Sequence, residues 1–372
     1  MGFFLSDTGG GHRAAARAIE AALQLKFPGQ FTCEFFDVFR TCGVWPLTQA
    51  PELYPRWVRF HQPSYDLSVR MADALFRTRL GRDGLPRLFA LRRSTYEGRL
   101  RTWNVVVVVH AAFGGFALAV RRALQLEIPV VTVVTDLASP HAGWFHPGVD
   151  RILVPSDSAY KRALQLGVDP AKVRLVGLPI HPKFGRLPLS RRECRHRLGW
   201  ESDSPTVLLV SGAEGMGNIP GYVEALDGLG AQLVVVTGRN EALAHEVRGR
   251  RWRGVVHVYG FVQDMEVFMG GADVLVGKPG PGIIAEAATM GLPMVLIESL
   301  GNERANVALV ESYGAGQYAR SPTEAGALVQ NWLASPEELR QRTERARAMA
   351  FPHAALDGAE EIWAQTGSAW SA

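Results

Sequence analysis

Short apolar runs alternate with helical patterns along the whole chain. The runs are rich in β-branched residues and continuous rather than alternating in polarity, which is typical of parallel strands buried on both faces. They predict strands over residues 2–6, 32–38, 105–110, 130–135, 151–155, 206–211, 232–237, 255–259, 274–276 and 294–297. Helical patterns such as 13–26 and 284–290 lie between them. This order predicts right-handed βαβ units and an α/β, doubly wound fold.

The alternation pauses between about Pro179 and Pro205, where proline, arginine and polar residues are frequent. The length of 372 residues suits two globular domains, at roughly 100–200 residues each. We predict two Rossmann-like domains facing a cleft, over residues 1–185 and 186–350. A C-terminal helix within 351–372 is expected to pack back toward the N-terminal domain. In such sheets ligands bind beyond the carboxyl ends of the strands, where the glycine-rich loops of this chain fall.

Composition predicts a cytoplasmic protein. The first residues have no basic leader followed by a long apolar core, so no secretory signal is predicted. The most apolar stretch, 105–120, is interrupted by His110 and two glycines. It is also shorter than the about 20 residues that a bilayer requires. The three cysteines form no CxxC pair, which fits a reducing compartment.

Charge is unevenly distributed, although the formal net charge is only +4. Between Arg56 and Arg101, the basic segment, eleven arginines occur with four acidic residues. Such a segment suits either anionic lipid or nucleic acid. The alternative is an ordinary solvated helical surface in an arginine-rich protein.

The first candidate site is the loop Ser6-Asp7-Thr8-Gly9-Gly10-Gly11-His12-Arg13. Glycines after a strand let the backbone approach a ligand closely, so Gly10 and Gly11 are predicted to lie beside a ligand. His12 is predicted at a helix N-terminus, whose positive end disfavours imidazolium and favours a neutral general base. A capping or packing histidine is the alternative.

The same loop also permits a dinucleotide site. Gly9, Gly11 and Ala14 satisfy G-x-G-x-x-A, and Asp37 ends the next predicted strand, where a ribose-binding acid would lie. This pattern, short as it is, leaves open a nicotinamide- or flavin-dependent oxidoreductase.

The second candidate site is Gly277-Lys278-Pro279-Gly280-Pro281-Gly282, followed by a helix. Exposed N–H groups and the dipole of a helix that begins near Gly282 favour a diphosphate. Glu286, one turn later, is within reach of ribose hydroxyls. No GK[ST] follows, so the loop is not a Walker site. A stiff loop with a surface glutamate is the alternative.

Three further loops are predicted to contribute to the same ligand site as the glycine–proline loop. Glycines after the 206–211 strand suit close approach to phosphate or sugar, but turn structure alone also explains them. Arg239 suits a phosphate, or simply a sheet edge. Amide and carboxylate groups after the 294–297 strand suit sugar hydroxyls, or a polar surface loop. The residues concerned are Gly212, Gly215, Arg239, Asn302, Glu303 and Asn306.

No metal site is predicted. There is no Asp-x-Asp pair and no HExxH motif. His141 and His146 flank Trp144 in what is interpreted as a cleft-lining loop, with Trp144 on the acceptor side. The charge on a departing diphosphate would then be balanced by helix ends, Arg239 and Lys278.

These motifs, in this order, resemble the monogalactosyldiacylglycerol synthase and processive diacylglycerol glucosyltransferase family. That family is related to the bacterial N-acetylglucosaminyltransferase that acts on lipid-linked muramyl peptide. The matching stretches are SDTGGGHRAAARAI, TDLASPHAGWFHPGVDR, VGLPIHPKF, SGAEGMG, TGRN and GFVQDMEVFMGGADVLVGKPGPGIIAEA. The resemblance implies a two-domain, B-type glycosyltransferase fold. It also implies transfer of a hexose from a UDP-sugar co-substrate to diacylglycerol or a similar lipid, at the inner face of a membrane.

The resemblance also implies residue roles. His12 matches the catalytic-loop histidine, and Asp136 matches an acid on the acceptor side, where Gly10, Gly11, His110 and Trp144 are also predicted. A lipid acceptor bound by the domain that carries the basic segment favours an anionic membrane, rather than nucleic acid, as the partner of that segment. Members invert the anomeric centre by direct displacement, without cofactor or essential metal. On the donor side the matches are Gly260, Phe261 and Val262 for uracil, Gly280, Pro281 and Gly282 for the diphosphate, Glu286 for ribose, and Asn302, Glu303 and Asn306 for the sugar.

Three positions depart from the family pattern. Asn302 replaces the usual glutamine, which leaves the hexose open; Ile283 replaces a frequent threonine; and Ala111 replaces a proline after His110. A non-hydrolysing nucleotide-sugar epimerase and a nucleotide-sugar sensor stay open as alternatives. The oxidoreductase is disfavoured, because it has no need of the loop that leads to Glu286.

Overall fold

The computed structural model of the chain describes residues 1–7, 10–41, 47–49, 52–53, 62–84, 86–87, 94–212, 215, 217–299 and 303–367. The chain divides into two compact units. The first is Met1–Pro182 together with His353–Ala372, and the second is Lys183–Pro352.

The first unit is built on a parallel sheet of six strands in the order β2-β1-β3-β4-β5-β6. Gly2 of the central strand β1 is in register with Glu34 on one side and Val106 on the other. The strands are β1 (Gly2–Leu5), β2 (Glu34–Asp37), β3 (Val106–Val108), β4 (Val130–Val133), β5 (Arg151–Val154) and β6 (Val173–Leu175).

Helices of the first unit follow its strands and cover the sheet. They are α1 (Gly11–Lys26), α2 (Val38–Thr41), α3 (Gln62–Phe76), α4 (Ser94–Leu100), α5 (Gly114–Ala123) and α6 (Asp157–Gln165). Short helical turns lie at Leu80–Gly84 and Ala142–Trp144. Phe4 belongs to the core on one face of the sheet, and its neighbours Phe3 and Leu5 to the core on the other. Burial on both faces explains the continuous apolar runs.

The second unit repeats this design with the order β12-β11-β10-β7-β8-β9, again all parallel. Its strands are β7 (Thr206–Val210), β8 (Gln232–Val236), β9 (Val256–Tyr259), β10 (Val274–Gly277), β11 (Met294–Leu296) and β12 (Gly316–Tyr318). Its helices are α7 (Arg191–Leu198), α8 (Ile219–Leu226), α9 (Glu241–Gly249), α10 (Met265–Gly271), α11 (Pro281–Met290), α12 (Arg304–Tyr313), α13 (Pro322–Ala334) and α14 (Pro336–Ala348).

The last helix, α15 (Ala354–Thr366), returns to the first unit and packs on α1. Ala355, Ala359 and Ile362 join the same buried cluster as Ile19 of α1. The ring of Trp363 stacks on Phe27 with a centroid distance of 4.3 Å. These contacts bury the apolar face of a helix that is far from its partner in sequence.

The predicted fold class is confirmed, since each unit carries a doubly wound parallel sheet. All ten predicted strands are present, with shifts of a residue or two at their ends. Two strands were missed, β6 and β12. Both lie at a sheet edge and have three residues. Such strands bury little apolar surface and give a weak signal. The predicted pause at 179–205 contains the turn Phe184–Arg186 and α7, whose N-terminus is closed by a Ser190–Glu193 capping box.

Within the described ranges, no helix combines the length and the apolar character that crossing a bilayer requires.

Candidate active site

The first unit brings His12 and Asp136 to the same edge of its sheet. His12 is the second residue of α1, which follows β1, and Thr135 and Asp136 follow β4. His12 Nδ1 lies 3.0 Å from Thr135 Oγ1. Parallel strands place their carboxyl ends at one edge, so loops distant in sequence meet there.

The surroundings of His12 favour the neutral form of its imidazole. Burial lowers the pKa of His12 below its usual value, and the nearby Asp136 carboxylate acts in the opposite direction. The prediction of a neutral histidine rested on the helix dipole, whereas removal from water is the larger cause here. A neutral imidazole has a free lone pair and can accept a proton.

His110 lies beside His12, with ring centroids 4.9 Å apart. Burial holds the pKa of His110 well below its ordinary value, and repulsion from His12 and His141 adds to this effect. The Ala112 N–H donates to His110 Nδ1 at 3.2 Å, so that nitrogen carries no proton. The two neighbouring rings are therefore compatible because both are uncharged.

Trp144 lies next to His12, with ring centroids 5.9 Å apart. Its side chain is only 1% exposed and belongs to the core, so it offers no surface to a ligand. Its indole Nε1–H instead donates to Asp136 Oδ2 at 2.7 Å, and the His141 N–H approaches the same oxygen at 3.4 Å. The Trp144 indole thus holds the Asp136 carboxylate in place.

Gly10 and Gly11 stand at the start of α1 with open space beside them. Gly10 has φ −77°, which any residue adopts, and a Cβ on either glycine would meet no atom within 4 Å. Neither glycine is therefore required by backbone strain or by packing within the protein. Open space next to His12 is what close approach of a ligand needs. Gly9 lies outside the described residues.

Asp37, the acid of the dinucleotide alternative, already has protein partners. It is buried, and its carboxylate accepts the Asp7 N–H and the Arg40 N–H, both at 3.0 Å. Asp7 in turn pairs with Arg13 at 2.6 Å. A carboxylate tied into the loop in this way is poorly placed to bind ribose hydroxyls, which further disfavours the oxidoreductase.

In the second unit, Arg239 and Phe261 come together from the ends of neighbouring strands β8 and β9. The Arg239 guanidinium lies 5.1 Å from the centre of the Phe261 ring, a cation–π contact. Phe261 is 57% exposed, and Val262 beside it is half-buried. An exposed aromatic ring with a cation next to it offers a surface for a planar base and its phosphates.

The glycine–proline loop is the start of a helix with open N–H groups. Strand β10 leads through Lys278 to α11, which begins at Pro281, and its N-cap Gly280 supplies no side-chain cap. A Cβ on Gly282 would meet no atom within 4 Å, so the space beside the first turn is open. Free N–H groups and the helix dipole together favour an anion there.

Asn306 stabilises the glycine–proline loop through a hydrogen bond to its backbone. Its side chain is 4% exposed and donates from Nδ2 to the Pro279 carbonyl at 3.0 Å. This contact differs from the predicted role in sugar binding. Glu303 is the N-cap residue of α12 and is half-buried. Asn302 lies outside the described residues.

Glu286, in the second turn of α11, has an unusual acidity. Burial raises the pKa of Glu286 to about 8, with a smaller contribution from Glu266 and an opposing one from Lys183. Lys183 Nζ forms an ion pair with Glu266 at 2.7 Å. A perturbed carboxyl beside an anion-binding helix end is typical of a functional site.

The third glycine loop is shaped by its own turn. Gly215 has φ +59°, and a Cβ there would lie 2.4 Å from the Thr237 carbonyl oxygen, so packing alone requires glycine. Gly212 has φ +77° with open space around it. Of these two glycines, Gly212 therefore leaves room for a ligand and Gly215 does not. The sequence prediction missed Glu298, which follows β11. It is a non-glycine residue at φ +50°, and its carboxylate accepts the Asn218 N–H at 2.7 Å. The position of Glu298 after β11 is its only signal in the sequence.

Among the residues that the structure describes, no group of three or more His, Cys, Asp and Glu side chains could hold a metal ion. His146 is bound to Asp83 at 3.1 Å, and His141 Nδ1 accepts the Gly143 N–H. Both histidines therefore stabilise the loop that carries Trp144.

Two family models match the chain. Residues 12–180 match monogalactosyldiacylglycerol (MGDG) synthase, and residues 220–362 match the glycosyltransferase family 28 C-terminal domain. Monogalactosyldiacylglycerol synthase 3, chloroplastic, of Arabidopsis thaliana is 35% identical over 96% of this chain and 79% of its own length. The spinach (Spinacia oleracea) monogalactosyldiacylglycerol synthase, chloroplastic, is 34% identical over 94% of this chain and 69% of its own.

Solved structures share the fold at low sequence identity. MurG of Acinetobacter baumannii is similar with a TM-score of 0.61 and 17% identity, covering 98% of this chain and 99% of its own. Anabaena Alr3699/HepE in complex with UDP-glucose has a TM-score of 0.55 and 13% identity, covering 100% and 98%. The predicted B-type glycosyltransferase fold is thereby confirmed.

Proposed function

The chain belongs to the monogalactosyldiacylglycerol synthase family, and from that premise we propose that it transfers galactose from UDP-galactose to the free hydroxyl of diacylglycerol. It is a glycosyltransferase of the hexosyltransferase type. The relatives' names specify one galactosyl group on diacylglycerol, and sequence similarity to the Arabidopsis relative extends over 96% of this chain. The observation that carries the proposal is the placement of His12 and Asp136 at the same edge of the first sheet, within residues 12–180, which match the MGDG synthase model.

The proposed reaction is a direct displacement with inversion. The acceptor hydroxyl oxygen forms a bond to the anomeric carbon while the bond from that carbon to the diphosphate oxygen breaks. UDP leaves with the electron pair of the broken bond. His12 accepts the hydroxyl proton, because an alcohol is a poor nucleophile until its proton is withdrawn. No covalent intermediate with the protein forms.

The donor is proposed to bind the second unit. The uracil ring stacks near Phe261 and Val262, Glu286 accepts hydrogen bonds from ribose, and the first turn of α11 holds the diphosphate. Arg239 and Lys278 balance the charge that develops on the departing UDP. We propose that UDP-galactose is a co-substrate and that neither a resident cofactor nor a metal is required.

The test is product analysis with radiolabelled UDP-galactose and diacylglycerol, with UDP-glucose in a parallel reaction. A labelled galactolipid with the β configuration, formed from the α-linked donor, is the expected product, and EDTA should not reduce its yield. Altered free nucleotide sugar without glycolipid would instead indicate an epimerase. An α-linked product would contradict inversion.

We further propose that the enzyme binds the inner face of a membrane through the basic segment. Within its described part, helix α3 carries Leu67 and Met71 one turn apart, and their side chains are 58% and 64% exposed. Leu75, another turn along, and Leu80 are also exposed. Apolar side chains next to arginines suit an anionic lipid surface. Arg56 itself lies outside the described residues.

Binding to vesicles that contain anionic lipid should have two contributions. Electrostatic attraction should weaken with salt, whereas burial of apolar side chains should not. Each basic residue near the surface adds about 1 kcal/mol, and raising salt from about 0.1 to 1 M shortens the Debye length from about 10 to 3 Å. Cosedimentation should therefore fall with salt. The double variant Leu67→Gln, Met71→Gln should bind roughly ten-fold more weakly at every salt concentration, because it loses apolar burial.

The matched control is Leu25→Gln with Leu164→Gln, which removes exposed leucines from α1 and α6 instead. Its binding should equal that of the wild type. Equal binding to neutral and anionic vesicles, unaffected by salt or by the α3 substitutions, would identify the basic segment as an ordinary solvated surface.

A further inference from the structure

Thr135 is the hydrogen-bond partner of the proposed base, and nothing in the sequence motifs assigned it a role. Its side chain is 6% exposed, and its hydroxyl lies 3.0 Å from His12 Nδ1. The two residues are 123 positions apart, so the contact exists only because β1 and β4 end at the same edge of the sheet. The hydroxyl either donates to an unprotonated Nδ1 or accepts from a protonated one.

We propose that Thr135 is a positioning residue that accepts a hydrogen bond from His12 Nδ1–H, so that Nε2 presents its lone pair to the acceptor hydroxyl. This inference rests on the proposed function, in which His12 is the base. The opposite direction would put the proton of the neutral ring on Nε2 and leave that nitrogen without a lone pair for the acceptor hydroxyl. The tautomer of a histidine base is set by the hydrogen bond that its other nitrogen makes.

The same hydrogen bond also serves the protonated state. Once His12 has accepted the substrate proton on Nε2, both ring nitrogens are donors, and Nδ1–H still has the Thr135 oxygen as its acceptor. Without that oxygen, a buried N–H of an imidazolium would be left unsatisfied, which costs more than the loss of a neutral hydrogen bond. Thr135 therefore makes His12 a stronger base than its burial alone allows.

The other titratable and charged groups around His12 do not compete with Thr135 for this hydrogen bond. Asp136, after β4, stabilises the imidazolium by its charge, but its Oδ2 already accepts the Trp144 indole and the His141 N–H. His110, after β3, is uncharged and opposes a second charge beside it. On α1 itself, Arg13 is paired with Asp7.

The experiment compares wild type, Thr135→Val and Thr135→Ser by NMR of ¹⁵N-labelled histidine, with His12→Ala to assign the signals. In the wild type, neutral His12 should carry its proton on Nδ1. Thr135→Val keeps the size of the side chain but removes the acceptor, so the pKa of His12 should fall by on the order of one pH unit. Thr135→Ser should restore the wild-type value.

Activity provides the second measurement. Turnover of Thr135→Val should fall by roughly ten- to a hundred-fold with little change in the KM for UDP-galactose, and the ascending limb of the pH profile should move to lower pH. A wild-type tautomer protonated on Nε2, or an unchanged or raised His12 pKa in Thr135→Val, would overturn the assignment. If Thr135→Val does not fold, the tautomer of His12 in the wild type tests the proposal by itself. Failure of the proposed function is distinct, because the wild type itself would then form no galactolipid.

Discussion

Replacing His12 with alanine should lower turnover by roughly 10²–10⁴-fold, the usual contribution of a general base. The reason is that the acceptor hydroxyl loses the group that withdraws its proton during attack. Affinity for UDP should stay nearly unchanged, because the nucleotide is proposed to bind the second unit. The measurement is steady-state transfer from UDP-galactose, together with calorimetric titration of UDP.

The pH profile separates a catalytic His12 from a structural one. The wild-type profile should contain an ascending limb below the usual histidine range, since burial lowers the pKa of His12 and the ring must be neutral to act. That limb should disappear in His12→Ala. His245→Ala, which removes an exposed histidine from α9, is the matched control and should keep both rate and profile. Wild-type turnover in His12→Ala would reduce His12 to a packing residue and make Asp136 the next base to test.

Replacing Glu286 with alanine should weaken UDP binding by about ten- to a hundred-fold at pH 9. The loss corresponds to a charge-assisted hydrogen bond of about 1.5–3 kcal/mol between the carboxylate and ribose hydroxyls. The fold should be unaffected, because alanine is favoured within a helix such as α11. Calorimetry on the wild type and the variant, with thermal unfolding as a check of the fold, measures the effect.

Because the pKa of Glu286 is about 8, UDP affinity is expected to change with pH in a defined direction. Ribose hydroxyls are proposed to donate to the ionised carboxylate of Glu286, which is the minor form in the free protein at pH 7 and the major form at pH 9. Wild-type affinity should therefore rise by up to about ten-fold between those pH values. Glu286→Gln should not show this rise, and whatever dependence remains belongs to the phosphate groups. Unchanged UDP affinity in Glu286→Ala at pH 9 would contradict the assignment.

Much of the fold could be predicted from the sequence, because its signals are local. Continuous β-branched runs mark strands that are buried on both faces, and glycine-rich loops mark the turns that follow them. Strands β6 and β12 were missed because each combines an edge position with a length of only three residues. Trp144 was predicted to line a cleft because it lies in a loop between His141 and His146. In the structure it is a core residue whose indole N–H holds Asp136.

The site needs contacts that no local pattern contains. The sequence alone determined that His12 follows a strand and a glycine loop, and that Glu286 lies one turn into a helix behind Lys278 and Gly280. The tertiary structure decided that Thr135 meets His12, that Asn306 supports Pro279, and that Glu286 is half-buried near Lys183 and Glu266. Hydrogen-bond partners and pKa values depend on which groups are neighbours in space and on how much water they exclude. Both conditions arise only when parallel strands align their carboxyl ends and bring distant loops together.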